Sequence, residues 1–332
     1  MPRSTVNQTV QFGVETTRGV SVPANKLLNI LSFKIGPEID SKEYRPDGRK
    51  YNTDIALNKE SSSGSFEGPM DYNALVYILS SAWGATSPTA YQSSATAKLW
   101  SFSPPVAGDA NPTTYTFEQG DSTRAHKISY GLFKSFSYKL SRDEFSCSGD
   151  LIGQLLTDGI TMTPSATSIP NVIIQPSDVN IYLDTAPEQI GQTILPGALS
   201  FEYKMTDIFD AAWFVRRSDA SWSSHVDLAP KVSATLLHEG SNIGMSLYSH
   251  MRAGKTIYMR IEAVGEQIAT DGPGAVSYSF IHDLALKVAK MNEFSDEDGV
   301  FAASYDLSVI ESEAWDGGKA QEIKIVNLLD SL

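Results

Sequence analysis

Cysteine is almost missing from this 332-residue chain, where Cys147 stands alone. One thiol excludes an internal disulfide framework and a thiolate metal site. Histidine is scarce as well. His126, His225, His238, His250 and His282 never fall at metal-ligand spacing beside another His or Cys. Basic residues are outnumbered, 26 Lys+Arg against 39 Asp+Glu, leaving a net charge of −13. Phosphate neutralisation needs clustered cations, so this balance argues against a nucleic-acid-binding footprint. No apolar run is long enough to span a bilayer; the longest lies near Asn73–Trp83. The opening MPRSTVNQTVQFG has no apolar signal-peptide core, which predicts synthesis in the cytoplasm and no membrane association.

Catalytic signatures are equally thin. The stretch Phe294–Gly299 resembles part of a calcium loop, but Phe294 and Tyr305 occupy the first and last ligand positions. It reads as a turn between two strands. Asp316-Gly-Gly-Lys319 resembles the end of a phosphate loop, yet Glu313 and Ala320 replace the required Gly and Ser/Thr, so it too reads as a turn. Neither a nucleophile elbow nor a dinucleotide fingerprint occurs. A carboxylate pair such as Asp143-Glu144 fits glycoside hydrolysis in principle, but acidic residues are too abundant to single one out. The chain reads as a non-enzyme with no cofactor.

What is present is a repeat. Leu31-Ser-Phe33 recurs as Leu199-Ser-Phe201, Ile128-Ser-Tyr130 as Val276-Ser-Tyr278, and FSCSGDL from Phe145 as FAASYDL from Phe301. The order is kept, with offsets 199 − 31 = 168, 254 − 84 = 170 (two helix-ending glycines), 276 − 128 = 148 and 301 − 145 = 156. The drop between the second and third offsets predicts a long surface insertion near 85–127, rich in Ser, Thr, Pro, Ala and Gly. The boundaries read as a first unit over 1–162, a linker over 163–178 and a second unit over 179–332. Acidity is uneven. Residues 1–165 carry 15 cations and 16 anions, and residues 166–332 carry 11 and 23.

Each half alternates apolar and polar residues with period two, as at Phe136-Tyr138-Leu140 and Ile257-Met259-Ile261, which predicts half-buried antiparallel strands. One helix per half is expected. Leu75, Ile78, Leu79 and Ala82 make one apolar stripe between a capping Asp71 and Gly84. Leu247, Tyr248 and Met251 make the other, between a capping Asn242 and Gly254. The fold class is mainly β: two tandem β-sandwich or barrel units, each with one flanking α-helix.

Two loops stand out. Pro37–Tyr51 is dense in charge of both signs and holds Arg45 and Arg49. Its counterpart, Thr206–Ser224, holds Trp213, Arg216, Arg217 and Trp222. Trp and Arg are enriched at interface hot spots, so these six residues are candidate inter-subunit arm contacts.

Taken in order, Gly13-Val-Glu-Thr-Thr-Arg-Gly19, Leu27–Phe33, Gly64-Ser-Phe-Glu-Gly68 with Asp71–Gly84, and the closing Asp298-Gly-Val300, Asp306-Leu-Ser308 and Val326-Asn327 resemble the tail tube (major tail) proteins of long-tailed phages, in a doubled form. The resemblance runs through essentially the whole chain and rests on order and spacing rather than on one motif. It implies a structural virion subunit whose copies join edge to edge into rings. The rings stack through loops around an acidic lumen that conducts DNA without binding it specifically. A doubled chain fills six positions with three copies, or with six if the second unit lies outside the wall. Tape measure and other tail proteins are the implied partners, and the virion tail the implied location. The rival reading is a virion β-sandwich that decorates the particle or binds host glycans, with Trp100, Trp213 and Trp222 as its aromatic contacts.

Overall fold

The computed structural model describes residues 8–215, 221–270 and 274–332. The chain is mainly β. Its first half runs β1 (Thr9–Val14), β2 (Lys26–Leu27), β3 (Ser32–Tyr44), β4 (Asp54–Pro69), α1 (Ala74–Ala82), β5 (Thr89–Ala90), β6 (Lys98–Phe102), β7 (Tyr115–Gly120), β8 (Ala125–Phe133), β9 (Phe136–Leu140), β10 (Phe145–Gly153), β11 (Thr157–Ile160) and β12 (Thr167–Ser168). The second half runs β13 (Val179–Asp184), β14 (Ala198–Thr206), β15 (Phe209–Ala212), β16 (Ser224–Asp227), β17 (Lys231–Glu239), α2 (Ser246–Ala253), β18 (Ile257–Ala269), β19 (Val276–Glu297), β20 (Val300–Val309) and β21 (Gln321–Asn327).

One pairing diagram occurs in both halves. In the first, β1 pairs β7, β7 pairs β8, β3 pairs β4, β4 pairs β10, and β10 pairs β9 and the end of β8. In the second, β13 pairs β18, β18 pairs β19, β14 pairs β17, β17 pairs β20, and β20 pairs β19. The registers follow the sequence offsets. Adding 168 to Ser32 and 170 to its partner Glu67 lands on Ser200 and Leu237, which are partners. Adding 170 to Gly68 and 156 to Cys147 lands on His238 and Ala303, also partners.

The two halves share one core. A single cluster of buried apolar residues runs from Phe12 through Phe133 and Tyr138 to Phe280 and Ile325. Apolar side chains must leave water somewhere, and here both halves bury them in the same place. The expected linker is strapped down. Ile174 N donates to Met70 O at 2.9 Å and Tyr72 N to Val172 O at 3.0 Å, while Ile169 and Ile174 are buried.

Helix α1 starts where Asp71 predicts. Its carboxylate accepts from Asn73 N at 2.9 Å and Ala74 N at 2.8 Å, satisfying donors that a helix start leaves open. Every residue of α1 is buried. Helix α2 ends on Gly254 in the left-handed conformation, as expected. Its start differs: Ser241, not Asn242, holds the entering turn, its carbonyl accepting from Met245 N at 2.9 Å. Only Leu247 of α2 is buried.

The segment 85–127 is not the surface insertion its composition suggests. It contains β5, β6 and β7. β6 pairs with β21 near the other end of the chain, Trp100 opposite Ile325, and Trp100 Nε1 donates to Asn327 Oδ1 at 3.1 Å. Trp100, Phe102, Tyr115 and Phe117 are all buried. The period-two signal is confined to these two short pairs, and the Ser/Thr/Pro background masks it.

Candidate functional site

The seam between the halves is an edge-to-edge strand pair. β9 runs antiparallel to β14 with Leu140 opposite Phe201, Tyr138 opposite Tyr203 and Phe136 opposite Met205. This pair fuses two four-stranded blocks into one run, β3-β4-β10-β9-β14-β17-β20-β19. The run does not close into a barrel. Its two free edges are β3 and the end of β19; among the described residues Phe33–Pro37 pair only with β4, and Phe294–Glu297 only with β20.

One face of this run is apolar and packs inward. Tyr138 sits at the centre of the seam, near Phe145 (5.6 Å between centroids), Phe201 (6.0 Å) and Phe280 (6.2 Å). Its hydroxyl meets Nδ1 of His282 at 2.7 Å. Tyr203 donates to Gln321 Oε1 at 2.7 Å. Burial pushes the His282 pKa down to about 3, so the imidazole is neutral. The ring lies between aromatic neighbours with Nδ1 paired to the Tyr138 hydroxyl, while its Nε2 is buried without a partner.

The other face is polar and rich in hydroxyls. Ser65, Ser137, Ser148, Ser233, Thr235 and Ser308 lie on it, and Ser137 and Ser148 are 3.0 Å apart. Its charges alternate in sign. Lys139 lies opposite Glu202, and Lys34 is 3.8 Å from Glu67. A surface groove of about 760 Å³ follows this face across the seam past Glu67, Lys139, Ser148 and Glu202. The face is therefore balanced rather than strongly acidic.

The two predicted arms are hairpins. The β3–β4 hairpin projects beyond the body, with Arg45 and Arg49 exposed near its tip. Cross-strand partners share a face, so Ile39 opposite Glu60, Ser41 opposite Leu57 and Glu43 opposite Ile55 define one side. Ile39, Ile55 and Leu57 are exposed there. The β15–β16 hairpin lies against the base of this arm, where Lys59 Nζ sits 5.0 Å from the centre of the Trp213 ring. Trp213 is half-buried. Trp222 is turned inward: its Nε1 donates to Gly153 O at 3.1 Å and its ring packs 4.6 Å from Tyr130. It clamps the second hairpin to the first half and is not at the surface. Arg216 and Arg217 lie outside the described residues.

The other sequence motifs resolve into structure. Glu15 of the opening motif accepts from Gly19 N (2.8 Å), Thr114 Oγ1 (2.7 Å), Thr116 Oγ1 (2.9 Å) and Tyr130 N (2.9 Å). Gly68 of the second motif lies against the chain, where an added Cβ would meet Ile30 O at 2.7 Å. Asp298-Gly299 is a turn with both residues at positive φ, and Asp296 accepts from Gly299 N at 2.8 Å. Gly317 and Gly318 also have positive φ, beside the bridge between Ser312 and Lys319. Among the described residues no group of three or more His, Cys, Asp or Glu is placed to hold a metal. No described helix is long and apolar enough to cross a membrane. Of the five tryptophans, Trp83, Trp100, Trp222 and Trp315 are buried, so no open aromatic platform for a sugar is built from them. His282 and Gln321 at the seam had no local sequence signal; a lone histidine in an alternating strand reads as any other position.

No protein-family model matches the sequence, and no curated protein matches it.

Proposed function

We propose that this chain is the structural subunit of a phage tail tube, a non-enzymatic protein that assembles with copies of itself into stacked rings. The observation that carries the reading is the β9–β14 seam: the chain already joins two like-paired blocks edge to edge and leaves one free edge at each end of the run. Exposed edges of this kind are pairing sites unless covered. The contact is heterologous, so repetition closes a ring when the rotation closes. As the resemblance implies for a doubled chain, three copies are the favoured ring, with six as the alternative.

In this reading the hydroxyl-rich face lines the channel. The charges on that face are mixed: Lys34 and Lys139 each have a carboxylate neighbour, and Lys204, Lys287 and Lys290 share it with Glu202 and Asp306. Carboxylates interspersed among the lysines limit the counterion release that would hold the phosphates. The long hairpin bearing Arg45 and Arg49 is the ring-to-ring contact, and the tape measure and other tail proteins are the further partners. Electron microscopy of the concentrated protein tests the proposal. Stacked rings with an axial channel are expected; a strictly monomeric particle that binds immobilised glycans would overturn it in favour of a decoration module.

A further inference from the structure

The internal seam has an unfilled counterpart at the two ends of the strand run. Adding 156 carries Tyr138–Leu140 of β9 onto Phe294–Asp296 of β19, just past an irregularity in the β19–β20 register. The equivalence is structural, since Phe145 opposes Leu140 as Phe301 opposes Asp296. Cys147 likewise opposes Tyr138 as Ala303 opposes Phe294. Subtracting 168 carries Phe201–Met205 of β14 onto Phe33–Pro37 of β3, with Phe201 opposite Leu236 as Phe33 is opposite Phe66.

Burial separates the equivalent positions. Tyr138 and Phe145 are 1% and 2% exposed, covered by the second half. Phe294 and Phe301 are 47% and 59% exposed, although their rings stack 4.5 Å apart as a preformed pair. An exposed aromatic pair beside an unpaired strand edge marks an interaction site.

We infer that β19 of one copy pairs antiparallel with β3 of a second copy of this chain, with Phe294 opposite Ile35 and Asp296 opposite Phe33. The inference rests on the self-assembly part of the proposed function and specifies its partner edge and register. Charge agrees with it. Lys34 falls opposite Ser295, between Glu293 and Glu297 two residues to either side, and diagonal neighbours on one face interact. The hairpin tips agree as well. Arg142 and Asp298 are equivalent by the same offset of 156 and already approach to 4.0 Å within one chain, so adjoining tips carry opposite signs. Because β19 meets β3 and never itself, the contact propagates head to tail.

Cross-linking of the full-length protein tests the register. Directly opposed residues in an antiparallel pair lie within disulfide reach. The double variant Ile35→Cys/Phe294→Cys is expected to give a ladder of covalent oligomers on oxidation. The shifted pair Ile35→Cys/Asn292→Cys is expected to give at least fivefold less. Cys147 is buried and adds no background. Phe294→Asp, at an exposed site, is expected to stay folded and to raise the concentration needed for assembly at least tenfold. Equal cross-linking of the two pairs, no cross-linking in assembled particles, or wild-type assembly of Phe294→Asp overturns the inference. Tubes without the Ile35–Phe294 link would leave the tail-tube reading standing and remove this register. Linked oligomers that never stack would keep the register and remove the tube.

Discussion

Tyr138 of the first half and Tyr203 of the second stack across their shared strand edge, ring centroids 5.2 Å apart and planes at 21°. They are direct cross-strand partners, and both are fully buried. Aromatic cross-strand pairs are among the stronger sheet contacts. The two halves are thus joined through backbone pairing and a packed aromatic layer together, and neither half covers its seam side alone.

Tyr138→Ala is expected to destabilise the whole chain by about 3–5 kcal/mol, the range for emptying a large buried aromatic site. Tyr138→Phe keeps the ring and removes only the bond to His282, for a loss of about 1–2 kcal/mol. Urea unfolding followed by intrinsic fluorescence checks both. Equal losses would mean that the hydroxyl, not the ring, dominates the seam.

Stability is expected to fall on acidification below about pH 6.5. The folded His282 pKa is pushed down to about 3 by burial, from the ordinary 6.5. Between those values the unfolded chain takes up a proton that the folded chain refuses, so stability is full above about 6.5 and declines toward 3. One such group gives a slope of about 1.4 kcal/mol per pH unit. His126, His225 and His250 are displaced the same way by partial burial. His282→Asn is therefore expected to flatten the slope between pH 6.5 and 5 without abolishing it, as read by denaturation midpoints across pH.

Trp222→Ala is expected to release the β15–β16 hairpin from Tyr130 and to cost about 3 kcal/mol locally. The loss should appear as faster proteolysis around Phe214 and Val215, both exposed, before global unfolding. Unchanged cleavage would show that the Lys59–Trp213 contact suffices to hold the hairpin.

Arg45→Glu with Arg49→Glu is expected to leave the melting temperature within about 2 °C of the parent, because exposed tip charges contribute little to folding. Ring formation is expected to persist and tube length to drop sharply in electron micrographs. Tubes of normal length would remove these two residues from the stacking contact.

Cys147 is expected to be inert. It is buried, and burial pushes its thiol up to about 12, leaving almost no thiolate at neutral pH. A thiol reagent should react in denaturant and not in native buffer.

Much of this molecule is legible locally. Alternation at Phe136–Leu140 and Ile257–Ile261 signals strands, Asp71 and Gly254 mark helix boundaries, and the repeated strings foreshadow two sets of like strand pairings. The seam is a different matter. Tyr138 and Tyr203 look like any alternating aromatic pair in the sequence, and nothing in it says that they meet. Trp222 sits in a polar, tryptophan-bearing loop that reads as an exposed arm, yet it is buried against Tyr130. The Ser/Thr/Pro-rich stretch 85–127 reads as surface, yet Trp100 anchors it to the last strand.

The β-rich class, both helices and the turns follow from short-range periodicity and backbone preference, and so can be read along the chain. Which edges are paired and which are open is set by contacts that form only in the folded chain. Strand pairing is non-local, and equivalent residues acquire opposite fates from their surroundings: Tyr138 is buried because another half lies over it, and Phe294 is exposed at the end of the run.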